Sequence, residues 1–279
     1  MPLDGFDRFC QQHEQGLTEV AGRFADYQPL PGVDRARLRS WLDQFSPEHW
    51  GLALKLAGAI HYYSIQGINA LMRELHGLIN QQIDSEGVPR NRVYYVPFGS
   101  SEESGAGILR SFRNVNRLHR AQKRFVETRD IPKILLNDDD PVVFFLDDFV
   151  GTGNQVSNAW RQTISEIVPE HLRLYLAVVA CTAQGAERIE ASTPLRVIAV
   201  HSIGPRHQLM AAENTTLSEQ EKHTIRSYCE KVGNQPLGFG DKGLLVSFAY
   251  GTPNNTISVI RGSKGQHPWA GLLPPWGDL

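Results

Sequence analysis

The stretch VVFFLDDFVGTGNQ, residues 142–155, runs five apolar residues into two adjacent aspartates and a glycine-threonine turn. Val142, Val143, Phe144, Phe145 and Leu146 form an unbroken apolar run, as expected of a strand buried on both faces of a parallel sheet. Read this way, the strand stops where the acids begin. Ligands of open α/β sheets bind outside the carboxyl ends of the strands, which puts Asp147, Asp148 and the next loop in that crevice. Gly151 and Gly153 allow backbone conformations that turn amides toward a ligand. A helix expected from about Asn154 adds unpaired N–H groups and the positive end of its dipole. Two carboxylates repel a bare phosphate, so the expected ligand carries hydroxyls or a metal beside its phosphate, and a ribose 5-phosphate fits.

The surroundings alternate as an α/β sheet requires. Residues 92–97 read as a short strand, 155–168 as a helix, 172–181 as a strand, 183–191 as a helix and 195–203 as a strand. Ser218, three residues before Glu221, predicts a capping box for a helix reaching about Val232. Residues 244–250 read as a last strand. Before residue 85 the pattern is helical. Asp34 is placed to cap a helix through Phe45, and Ser46 and Pro47 to open a second. Ile65, Ile68, Leu71, Met72, Leu75, Leu78 and Ile79 recur at helical spacing. Trp41, Leu42, Phe45 and Leu52 read as core. The change of texture near residue 92 predicts a helical N-terminal cap region over 1–90. An α/β domain with a C-terminal tail rich in Pro, Gly and Trp follows over 91–279.

Composition narrows the class. Hydrophobic residues are 41% and charged residues 21% of the 279, the balance of a packed globular protein. The net charge is −2, so nucleic acid is not indicated by any global basic field, which leaves room only for a local basic patch. Three widely spaced cysteines suit neither a disulfide framework nor a zinc site, and the expectation is a reducing, cytoplasmic setting. The N-terminus resembles no signal peptide, and no apolar segment approaches the ~18 residues a bilayer needs, so no membrane is expected.

Three rival motifs share parts of the opening stretch. A Walker B strand also ends in acids, but no G-x-x-x-x-G-K-[ST] occurs in the chain. The dinucleotide fingerprint requires a glycine where Val156 stands, and the next strand ends in Ala180, Cys181 and Thr182 without an acid for a ribose. The glycine loop of S-adenosylmethionine-dependent methyltransferases is similar to LDDFVGTG, yet Phe149 occupies the place of its first glycine.

VVFFLDDFVGTGNQ most closely resembles the phosphoribosyl pyrophosphate motif of type I phosphoribosyltransferases. The resemblance implies an α/β fold: a parallel-sheet type I phosphoribosyltransferase-like core with a helical N-terminal region. It implies that Asp147 and Asp148 hold the ribose hydroxyls, directly or through Mg²⁺, and that Gly151, Thr152, Gly153, Asn154 and Gln155 bind the 5-phosphate. The family's diphosphate loop is similar in placement to YYVPFGSSEESG, which implies Gly99, Ser100, Ser101, Ser104 and Gly105 as diphosphate ligands. A mobile hood follows in that family, and Arg110, Arg113, Arg117, Lys123 and Arg124 are placed to neutralise the departing diphosphate. WLDQF, LALKLAGAIHYYS, YGTPNNT and the PW elements resemble a subgroup found in bacterial conflict and anti-phage systems.

The implied partners are phosphoribosyl pyrophosphate or a nucleotide and a protein of a defence system, with a homodimer left open. Two departures support a second reading. Gly151 and Gln155 stand where the phosphate loop usually offers hydroxyls, and Glu102 and Glu103 sit in the diphosphate loop. Transfer of the phosphoribosyl group with pyrophosphate release is therefore one expectation. A catalytically inactive ligand-sensing or partner-binding module of the same fold is the other. Plainer roles are expected elsewhere: RLHRAQKR as a solvated face, His61, His201 and His207 as structural, Asn254 and Asn255 as a turn.

Overall fold

The computed structural model describes residues 5–30, 32–98, 104–136, 140–169, 171–263 and 268–275. Its contacts gather into two units, residues 66–203 and residues 1–65 with 204–279. The sequence-based division at residue 90 does not fall on this grouping, because the helix Ile65–Ser85 belongs almost wholly with the sheet. The described strands are β1 (His61–Tyr63), β2 (Val93–Pro97), β3 (Val142–Val150), β4 (Arg173–Thr182), β5 (Arg196–Ile203) and β6 (Val246–Phe248).

In the unit of residues 66–203, β2, β3, β4 and β5 form one parallel sheet in that order. The apolar run of β3 is buried on both faces, as its composition required. Val143 and Phe145 join Val96, Val156, Trp160 and Ile189 in one cluster. On the other face Phe144 stacks on Tyr175 at 4.8 Å, and Tyr95 meets Phe112 at 5.4 Å. Each fully buried aromatic contributes about 1.5–3 kcal/mol.

The amino ends of β4 and β5 are tied by a polar network. Glu86 accepts from the Tyr175 hydroxyl and, at 2.8 Å, from the Gln82 amide. Arg173 and Arg196 lie 3.5 and 3.6 Å from it. The polar stretch before β3 is also built of helices, Ser104–Val115 and Ile131–Leu135, with 3₁₀ turns between them.

The other unit is helical around a small parallel pair of strands, β1 with β6. Asp34 caps the helix Arg35–Leu42, its carboxylate accepting from the Arg37 amide at 2.8 Å. Trp41, Leu42 and Phe45 are buried, and the Trp41 indole donates to the Val259 carbonyl at 2.9 Å. Ser46 does not cap with its side chain. Its hydroxyl instead accepts from Tyr228 at 2.9 Å, and the segment opens as a 3₁₀ turn, Pro47–His49, before the helix Trp50–Ala59. The capping box of Ser218 and Glu221 forms on the helix Glu219–Val232. The last expected strand shortens to β6 and pairs with β1, not with the four-stranded sheet. Asn254 and Asn255 lie in a turn, the Asn255 amide donating to the Phe239 carbonyl at 2.8 Å. Among the described residues no helix is long and apolar enough to cross a membrane.

Candidate functional site

β3 does not stop at Leu146. Its pairing with β2 ends at Pro97, but it stays paired with β4 through Asp147 opposite Val178, Phe149 opposite Ala180 and Val150 opposite Cys181. Small and apolar partners on β4 let the ladder continue under the acids. Successive strand side chains point to opposite faces, so Asp147 and Asp148 straddle the strand instead of crowding one side. Each carboxylate accepts from the next backbone amide, Asp148 N–H to Asp147 Oδ1 at 2.9 Å and Phe149 N–H to Asp148 Oδ1 at 2.7 Å. Asp147 is buried and Asp148 half-buried.

The turn after β3 is held by its glycines. Gly153 sits at φ +74°, the left-handed region that favours glycine, and a Cβ there would meet the Gly185 carbonyl oxygen at 2.7 Å. Gly153 also precedes the helix Asn154–Gln162 and offers no side-chain cap. The first-turn amides of that helix have no intrahelical acceptor. Thr152 Oγ1 accepts from the Asn154 amide at 3.4 Å. Asn154 Oδ1 is out of solvent and has no hydrogen-bond partner. Gln155 is exposed.

Residues that the motif did not mark hold this loop from behind. Thr182 ends β4 and caps the helix Ala183–Ser192, accepting from the Gly185 amide at 3.0 Å while its hydroxyl donates to the Gly151 carbonyl. Gly185 passes so close that an added Cβ would lie 2.5 Å from the Gly151 oxygen. Ser192 donates to Ser157 at 2.8 Å, and Ser157 donates to the Gly153 carbonyl at 2.9 Å. The local signal was Thr182 three residues before Gly185, a cap spacing. That its free lone pairs and proton serve a loop 31 residues earlier is a tertiary fact.

Gly99, Ser100 and Ser101, with Glu102 and Glu103, lie outside the described residues; Ser104 and Gly105 open the helix Ser104–Val115. At the carboxyl end of β2, Pro97 pairs beside Leu146, the residue before Asp147. The basic residues expected over the site divide differently. Arg124 donates to the Arg90 carbonyl and gathers with Lys123 beside Tyr94, at the amino end of β2 and away from the acids. Arg113 lies over the Phe125 ring at 5.9 Å.

Two carboxylates at a strand end suit a hard cation shared with a ligand, since Mg²⁺ is commonly held by one or two carboxylates plus phosphate oxygens. Asp147, Asp148 and the unpaired Asn154 Oδ1 are oxygen donors of that kind. Among the described residues no group of three or more His, Cys, Asp or Glu forms a cage of its own.

No curated protein and no solved structure matches the chain. A family model, PRTase-CE, matches residues 38–274. That span takes in the whole sheet, the acids of β3 and the loop behind them, and over so much of its length the chain belongs to the phosphoribosyltransferase-like PRTase-CE family.

Proposed function

We propose that the protein binds phosphoribosyl pyrophosphate, or a ribose 5-phosphate nucleotide, together with Mg²⁺, and transfers the phosphoribosyl group with release of pyrophosphate. One observation carries the reading: adjacent acids lie where β3 has lost β2 as a neighbour, three residues before a glycine loop and a helix start without a side-chain cap. The Thr152–Val156 amides and helix dipole suit the 5-phosphate. Asp147 and Asp148 accept from the ribose hydroxyls. Asn154 Oδ1, an acceptor without a donor, would accept from a hydroxyl of the ligand. Asp147 or Asp148 would hold Mg²⁺, which would supply charge neutralisation for the diphosphate. The chain's own part in transfer is positional and electrostatic: it fixes the anomeric carbon and holds the 5-phosphate while charge develops on the ribose. Family membership supports this reading, and resemblance of the flanking segments supports a bacterial defence setting.

The second reading, a ligand sensor without turnover, is favoured by one specific feature. Lys123 and Arg124 lie at the far end of β2 from the acids, so the diphosphate lacks these neutralising cations. Thermal unfolding with Mg²⁺, alone and with phosphoribosyl pyrophosphate, tests binding. At ~100 times its dissociation constant the ligand should stabilise by about 2.7 kcal/mol. The rise should vanish in the double variant Asp147→Asn, Asp148→Asn. An equal rise in that variant, or none in the parent, sinks the site assignment. Pyrophosphate release during incubation with nucleobases separates enzyme from sensor.

A further inference from the structure

We propose that the cavity between the 3₁₀ segment Leu118–Arg124 and the start of β2 binds a single-stranded nucleic acid through its phosphodiester backbone. The inference does not rest on the phosphoribosyl site, which lies at the opposite end of β3.

The cavity measures about 990 Å³ and is lined by Arg90, Arg120, Lys123 and Arg124 with Tyr94; no acid lines it among the described residues. Four cations in one concavity are notable in a chain whose net charge is −2. One of them, Arg90, is paired with Asp84 at 2.7 Å, and that contact is solvent-exposed on both sides. Arg120 and Lys123 are exposed and have no ion-pair partner among the described residues.

The basic run is also fixed, which separates it from an ordinary solvated helix face. Arg117 turns the chain through a left-handed conformation, φ 54°, before the 3₁₀ segment begins. Ala121 is buried at its kink, Arg124 donates to the Arg90 carbonyl, and Phe125 stacks on Tyr95 at 4.9 Å. The run is thus strapped to β2 with its charges turned to one cavity. A positive field is felt nearby: the His76 imidazole is pushed below its ordinary value by burial first and then by Arg90 and Arg124.

The chemistry of the lining selects the ligand. Three of the four cations are arginines, whose planar forks match phosphate oxygens two at a time. An aromatic ring among them offers a base a stacking surface, the combination that sequence-tolerant single-strand binders use. A cavity of this volume takes more than one phosphate group.

The test is fluorescence anisotropy of the full chain with a labelled RNA of about 12 nucleotides and its DNA counterpart. Between ~50 and ~200 mM salt, log K should fall against log salt with a slope near −3, about 0.7 for each of four phosphate contacts. The double variant Arg120→Gln, Lys123→Gln, which alters only exposed side chains, should bind at least about tenfold more weakly with a slope shallower by about 1.4. Asp147→Asn with Asp148→Asn should leave oligonucleotide binding unchanged, which separates this cavity from the phosphoribosyl site. The proposal is overturned by no binding at the lowest salt or by undiminished binding in the arginine-lysine variant. It is equally overturned if inorganic triphosphate competes as strongly as the oligonucleotide, or if vesicles rich in phosphatidylserine bind more tightly than RNA.

Discussion

Replacing Thr182 by valine preserves the shape of a buried side chain and removes one oxygen. That oxygen accepts from the Gly185 amide at 3.0 Å, capping the helix Ala183–Ser192, and donates to the carbonyl of Gly151. Losing the cap costs about 1 kcal/mol. Leaving the Gly151 carbonyl buried without its donor adds about 1–3 kcal/mol. Together the loss is about 2–4 kcal/mol, which at about 2–4 °C per kcal/mol lowers the melting midpoint by about 4–16 °C. Thr182→Ser keeps the oxygen and gives up a methyl group, so it should lose only about 0.8 kcal/mol. Urea unfolding followed by circular dichroism measures both variants. Melts with Mg²⁺ and phosphoribosyl pyrophosphate add the functional arm, because Gly151 begins the loop that Thr182 anchors. The ligand-induced rise should shrink in the valine variant and persist in the serine variant. If the valine variant unfolds within about 0.5 kcal/mol of the parent, the clamp carries no stability and the reasoning fails.

Gly153→Ala places a Cβ at φ +74° and 2.7 Å from the Gly185 oxygen; the left-handed backbone alone costs about 1–2 kcal/mol, so lower stability and loss of the phosphoribosyl pyrophosphate response are expected together, and a normal response would show the loop tolerant. Glu86 gives a pH dependence. Burial pushes its carboxyl up, but the Tyr175 hydroxyl, the Gln82 amide, Arg173 and Arg196 outweigh burial and hold it below the ordinary carboxylate range. Its contribution is therefore complete above the unfolded value of about 4.3 and is lost as pH falls through the lower folded value. Urea unfolding of Glu86→Gln should show a deficit at pH ~7 that closes toward pH ~3; a deficit independent of pH would remove Glu86 as its source.

Legibility in this sequence followed the range of the interactions. The four-stranded sheet could be read because β3 is buried on both faces and shows it in five consecutive apolar residues, and because strands and helices alternate after it. The Asp34 cap and the Ser218–Glu221 box were equally plain, since cap and amide are three residues apart. β1 was hidden: His61, Tyr62 and Tyr63 sit between two helical patterns, and their partner, β6, lies near the other end of the chain. Ser46 lost its capping role to a hydroxyl on Tyr228, far away in sequence. In the candidate site the acids and the glycine loop were visible as a motif, whereas Thr182, Gly185, Ser157 and Ser192 act on that loop only through folding. The basic run shows the same limit from another side. Composition reveals that cations are present, but only the Tyr95–Phe125 stack and the Arg124–Arg90 bond decide which end of β2 receives them.

Two like charges side by side at residues 147 and 148 make sense once the edge of β3 is considered. Beyond Pro97 the strand loses β2 as a neighbour, so amides there need acceptors. Asp147 supplies one to the Asp148 amide, and Asp148 accepts from the amide of Phe149. Alternation along the strand separates the two carboxylates across the sheet. This arrangement uses one oxygen of each acid to hold the backbone. It also fixes both side chains at the carboxyl end of a strand that cannot shift, because β4 pairs with it through Val150. Asparagine would satisfy the same amides with its carbonyl oxygen. Structure therefore explains an acceptor at each position but not a charge. Under the proposed function the two negative charges serve a ligand with hydroxyls and a divalent cation, and Asn154 Oδ1, out of solvent and without a hydrogen-bond partner in the loop that follows, is a further acceptor that the backbone does not use.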